Sequence, residues 1–214
     1  MDEEVTIIDT NTRNEKIKNF FINNKKKIIV GISIILVVII GYLSIKEIEK
    51  QNKIKLANQF NITKINFDTD DKQTTINQLT NLIKENDPTY SPLALYFIID
   101  NNLIDDQNKI NDLFDEIINE TNLDEEIKNL IIYKKALFNS DFYSESDLLQ
   151  ILNPIINSKS IWSSHALYLM GEYFYSKNEK QKAKSFFEKI ISLSNSNSDI
   201  IIKANKRLNR DLSD

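Results

Sequence analysis

The chain has 214 residues, a net charge of −4, no cysteine, and only three glycines and three prolines. The lack of cysteine excludes disulfides, thiolate metal sites and thiol nucleophiles. The scarcity of glycine argues against β-rich and dinucleotide-binding folds, which need glycine at their turns. Both charge signs are interspersed and no basic stripe runs along the chain, so nucleic acid is not an expected partner. Ile, Asn and Lys dominate, all with A/T-rich codons, so single Lys and Asn residues are discounted as signals.

Residues 1–14 are polar and acidic, with no expected regular structure. From Glu15 the pattern EKIKNFFINNKKK sets Ile17, Phe20 and Phe21 on one helical face. Such a segment fits an amphipathic lead-in at a membrane surface or a helix that simply extends the next segment. Residues 28–45, IIVGISIILVVIIGYLSI, carry no charge. At 1.5 Å per residue they span roughly 27 Å, enough for a bilayer core. This run is too long for the core of a cleaved signal peptide, and no small-x-small cleavage site follows it. The expected organisation is a cytoplasmic tail at 1–27, a transmembrane anchor at 28–45, a helical stem and linker at 46–75, and a helical domain at 76–214. Lys and Arg number six in residues 1–27 and five in 46–65, which barely discriminates orientation. The Lys25–Lys27 triplet abuts the span, where the positive-inside rule acts most strongly, and places the tail in the cytoplasm.

Beyond the span, residues 47–60 continue as helix and 61–71 read as a linker. Apolar periodicity predicts helices over 74–86, 91–103, 107–118, 124–138, 146–157, 164–176, 179–193 and 199–212. Asp87-Pro88 stops the first of these, and Pro92 suits the first turn of the next. Asp105-Asp106 precede a helix, where acidic groups complement its N-terminus, so the pair reads as structural. The fold class is therefore all-α, with antiparallel helix hairpins as the natural packing.

Residues 162–191, WSSHALYLMGEYFYSKNEKQKAKSFFEKII, resemble a tetratricopeptide repeat. The carriers are Gly171, Phe174, Ala183 and Phe187: small residues let two helix axes approach, and aromatics fill the space beside them. Ala136, 35 residues before Gly171, marks a degenerate earlier unit near the period of about 34. On the first helix of the clear repeat, His165, Tyr168, Glu172 and Tyr175 share one side and are the candidate protein-binding stripe. Packing of Tyr168 and Tyr175 against a neighbouring or terminal helix is the competing reading of that stripe. His165 is the one histidine, without a second ligand or an H-E-x-x-H context, so no metal site is expected. Ser163-Ser164 starts a helix, with no nucleophile elbow around it. No Walker loop, glycine fingerprint or paired catalytic carboxylates are visible. No catalytic residue, cofactor or small-molecule substrate is expected, and the chain does not read as an enzyme.

The layout as a whole (KIKNFF in the tail, a Lys-flanked span, a helical stem, and the repeat ALYLMGEYFYSKNEKQKAKSFFEKI) is similar to the bacterial family of ancillary Sec translocon subunits. That resemblance implies a single-pass protein of the inner membrane, N-terminus inside, with an exported tetratricopeptide-like domain. It further implies Sec channel subunits and a membrane-anchored periplasmic chaperone as partners, and a role in passing exported chains between them. The same architecture also fits an envelope scaffold for cell division or outer-membrane assembly, or a receptor whose domain faces the cytoplasm.

Overall fold

A computed structural model describes residues 2–68 and 71–212, with side chains from Thr12 onward. The described residues are helical throughout, joined by turns, with no strand among them. Two compact units divide the chain, Met1–Lys55 and Leu56–Asp214.

The first unit holds α1 (Asp2–Asn23) and most of α2 (Lys25–Ile65). Only Asn24 separates them. Its amide donates to the Phe20 carbonyl (3.0 Å), and the Ile28 amide donates to the Asn24 carbonyl (2.9 Å), so helical bonding passes through the junction. Residues 1–14 were expected to lack regular structure, yet α1 begins at Asp2. The chain has neither glycine nor proline before Gly31, so nothing in it interrupts the helix. The side chains of Thr12–Asn23 are exposed, and so is the apolar run that follows. One N-terminal helix, α2, is thus long and apolar enough to cross a membrane, with none of its apolar window buried.

The second unit begins at Leu56, ahead of the expected start at residue 76. The last turns of α2 belong to it because Leu56, Phe60 and Thr63 are buried there. Helix was expected to stop at Phe60, but it runs on to Ile65. Thr63 Oγ1 bonds both the Gln59 carbonyl and Gln78 Oε1, each at 2.9 Å, and no glycine or proline lies between Gly41 and Pro88 to end it sooner.

Then follow α3 (Lys72–Lys84), α4 (Tyr90–Asp100), α5 (Gln107–Glu120), α6 (Glu125–Asn139), α7 (Glu145–Ile156), α8 (Ser163–Ser176), α9 (Lys180–Ser192) and α10 (Ser198–Arg210). Side-chain caps set several starts. Asp71 Oδ1 accepts from the amides of Gln73 and Thr74, Asp106 Oδ1 from Asn108 and Lys109, and Asn197 Oδ1 from Asp199 and Ile200. Ser144 and Asp147 form a reciprocal capping box on α7. In a chain this poor in glycine, asparagine supplies the left-handed residue after a helix: Asn86, Asn102 and Asn178 have φ of 51°, 48° and 61°. After α4 the Leu103 amide reaches back to the Ile98 carbonyl (3.0 Å). After α8 the Glu179 amide reaches back to that of Phe174 (2.9 Å).

Each helix from α3 to α9 packs on its successor, and α3 also meets α5, α6 meets α8, and α8 meets α10. The core has two parts within this unit. One gathers the end of α2 with α3, α4 and α5, around Leu79, Ile83, Leu95, Ile98 and Phe114. The other gathers α6 to α10, around Leu148, Met170, Phe174, Phe187 and Ile190. At the α5–α6 seam two buried asparagines pair face to face. Asn139 Nδ2 donates to Asn111 Oδ1 (2.7 Å), and Asn111 Nδ2 donates to Asn139 Oδ1 (3.0 Å). Gln107 Nε2 adds a bond to the same Asn139 oxygen (2.9 Å). The pair satisfies both buried amides and fixes how α5 sits on α6.

Candidate functional site

The α8–α9 hairpin is built on one close approach. Gly171 is buried, and a Cβ placed on it would stand 2.5 Å from Phe187 Cε1 and 2.8 Å from Cζ. The ring occupies the space that any side chain at 171 would need. Phe174, Ala183 and Phe187 are all fully buried, so the four repeat-packing residues lie in one core. Phe174 stacks on Phe186 with ring centroids 5.4 Å apart, and Lys182 Nζ lies 4.8 Å from the centre of the Phe174 ring.

His165, Tyr168, Glu172 and Tyr175 do come together on one side of α8, each half-buried. What lies over Glu172 and Tyr175 is α10. Arg207 grips Glu172 with both edges of its guanidinium, Nε to Oε1 at 2.7 Å and Nη2 to Oε2 at 2.6 Å, and its centre stands 4.5 Å from the centre of the Tyr175 ring. Arg207 Nη1 also donates to Asp211 Oδ2 (2.9 Å). These bonds hold the Arg207 guanidinium above its ordinary pKa, Glu172 first, and Asp211 is held well below the carboxylate range by Arg210 and then Arg207. Tyr168 packs against Phe187 with centroids 5.5 Å apart. Burial, then the neighbouring Glu172, pushes its phenol up. His165 sits among rings, 5.0 Å from Trp162 and 5.9 Å from Tyr133, while Trp162 stacks on Tyr133 at 6.0 Å. Burial pushes its imidazole down, and the charge of Lys203 acts in the same direction.

Beside this stripe an open cleft of about 280 Å³ is lined by Tyr168, Lys203, Lys206, Arg207 and Arg210. Sequence reasoning missed it, although the bases recur at i, i+3, i+4 and i+7 along α10, which places them on one side of that helix. A wider groove of about 570 Å³ lies where α5, α6 and α7 meet. Ile118, Ile132, Ile151 and Tyr143 form its apolar walls. Lys135, 13% exposed, crosses it to bond Asp115 at 2.6 Å, and Asp147 and Gln150 stand at its rim. A groove of this kind, with apolar walls and charged or amide side chains in equal share, can accept side chains of another protein. Nothing in the alternation of single residues pointed to it, because its walls come from three different helices.

No protein-family model, curated protein or solved structure matches this chain.

Proposed function

We propose that this protein is a membrane-anchored interaction module that assists protein export. In this reading α2 anchors it in the inner membrane, the Lys25–Lys27 side faces the cytoplasm, and the unit from Leu56 onward is exported and tetratricopeptide-like. It works by binding without turnover, linking Sec channel subunits to a membrane-anchored periplasmic chaperone. The observation that carries the reading is the union of one unburied span-length helix with a hairpin unit whose Gly171–Phe187 joint has the repeat's small-against-aromatic contact. A mixed apolar and polar groove and a basic cleft are among the open features of that unit, which suits side-chain recognition.

The test is in-cell photocrosslinking from Gln150 at the α5–α7 groove, from exposed Phe142, and from Tyr168 in the α8–α10 cleft, followed by mass spectrometry. Recovery of channel subunits or an exported chaperone supports the proposal. Recovery of division or outer-membrane assembly factors instead transfers the same architecture to a scaffold. A C-terminal reporter active only beyond the membrane tests the orientation, and its silence would place the unit in the cytoplasm.

A further inference from the structure

We propose that the α8–α10 cleft binds the side-chain carboxylates of an acidic segment on a protein partner. This rests on the interaction-module reading and names the chemistry of one of its surfaces. The chain is acidic overall, yet α10 concentrates Lys203, Lys206, Arg207 and Arg210 against a single acid, Asp199. These four bases do not play the same part. Arg207 is a strut: its fork is spent on Glu172 and Asp211, and its face on Tyr175. Arg210 is bound to Asp211 through Nε (2.6 Å) and Nη2 (2.8 Å). Both arginines lie in the last turn of α10, where they also complement the helix dipole. Lys203 and Lys206 lie before that turn, are exposed, and have no carboxylate partner among the described residues.

The cleft therefore holds four cations and two carboxylates, and the unneutralised charge resides in two ammonium groups. That division selects the ligand. Phosphate is best held by a free guanidinium fork, and both forks here are already engaged. An ammonium is a compact point donor that suits a single carboxylate oxygen. Lys203 and Lys206 are one helical turn apart, with Cβ atoms roughly 5–6 Å apart. Alternate side chains of an extended peptide repeat about every 6.6–6.8 Å, so two acids separated by one residue can meet both lysines. Tyr168 lines the same cleft and offers a ring against which the peptide can lie. The positive potential already reaches a neighbour: Lys203 adds to burial in lowering the pKa of His165.

The experiment uses the full chain in nanodiscs of zwitterionic lipid and a fluorescein-labelled, C-terminally amidated octapeptide with alternating Glu and Ser, read by fluorescence anisotropy. Binding should weaken about ten-fold in the double variant Lys203→Gln/Lys206→Gln and fall steeply between 50 and 300 mM salt, since the Debye length contracts to about 8 Å near 0.15 M. The exposed pair Lys177→Gln/Lys180→Gln, at the turn between α8 and α9, should bind as the parent does. Circular dichroism of both variants should match the parent, because neither pair is buried. Equal losses in the two double variants would mean diffuse attraction and would overturn the proposal. So would anionic vesicles that require Lys203 and Lys206 while the peptide fails to compete, which would make the ligand a lipid headgroup. Should partners still crosslink to the unit from Gln150 while the peptide shows no binding, the interaction module stands and this cleft is not its acidic-segment site.

Discussion

Replacing Gly171 by alanine sets two well-known tendencies against each other. In a helix interior, alanine is favoured over glycine by about 1 kcal/mol, because glycine has more backbone freedom to lose. On propensity alone, Gly171→Ala stabilises α8. The geometry predicts the reverse. The new methyl would stand 2.5, 2.8 and 2.9 Å from Phe187 Cε1, Cζ and Cδ1. Phe187 has no exposed surface and its ring is backed by Tyr168, so it cannot swing into solvent. Relief requires α8 and α9 to move apart or the ring to leave its rotamer, and overpacking of this kind costs roughly 1–3 kcal/mol. After the propensity gain of about 1 kcal/mol, the expected net loss is up to about 2 kcal/mol. Urea unfolding of the full chain in detergent, followed by circular dichroism at 222 nm, measures it as a lower midpoint at unchanged slope. The cycle with Phe187→Leu isolates the cause. Phe187→Leu alone leaves a cavity and costs about 1–3 kcal/mol, and adding Gly171→Ala should then cost nothing further or recover part of that loss. A midpoint that rises in Gly171→Ala would refute the reasoning, as would additivity in the double variant.

The asparagine pair makes a second prediction. Asn139→Ala strands the buried Asn111 amide and should cost roughly 2–3 kcal/mol in the same unfolding assay, whereas Asn111→Leu/Asn139→Leu should recover much of it because both buried amides are removed and the half-buried Gln107 amide can turn to water. Glu172→Gln, with partner side chains 24% and 30% exposed, should cost about 1 kcal/mol and raise hydrogen exchange in α10 more than in α9. His165 is the one histidine, so its imidazole resonance is a single-site probe by NMR. It should titrate below 6.5, the value about which an unperturbed imidazole is centred, and Lys203→Gln should move it upward. A group whose folded pKa is depressed keeps its contribution above the unfolded value and loses it as pH falls. Asp211 should therefore support stability above about pH 4 and lose that support progressively below it, so the thermal midpoints of the parent and Asp211→Asn should converge in acid.

Much of the helical layout was readable because local signals and periodicity agreed. From α5 to α10 the expected ends fall close to the observed ones, and Asp106, Ser144 and Asn197 cap where short polar residues precede an apolar stripe. The linker expected at 61–71 begins later, after Ile65, for a physical reason. Polar composition alone does not end a helix when one face still has a core to enter, and Leu56, Phe60 and Thr63 supply that face. The turn asparagines were discounted as compositional bias. Three of them have positive φ, but which asparagine takes that conformation depends on where each helix ends, and the bare sequence does not mark those ends to the residue.

The stripe on α8 shows where the reading of a single helix stops. Its period placed His165, Tyr168, Glu172 and Tyr175 on one side, and they are found there. Whether that side is open depends on the next helix but one. Arg207 occupies part of it, since its fork fits Glu172 and its plane covers Tyr175, 35 and 32 residues away in the chain. The helix that supplies Arg207 also carries charge to the surface beside this contact, through Lys203 and Lys206. On one side of α10, Ile200 and Ala204 enter the core, Arg207 is fixed by carboxylates, and Lys203 and Lys206 face outward. The helix that packs on the predicted stripe thereby creates a neighbouring cationic cleft, whose lining is shared between α8 and α10. Changes in Arg207 should loosen α10 and alter the cleft together, while changes in Lys203 and Lys206 should alter the cleft alone.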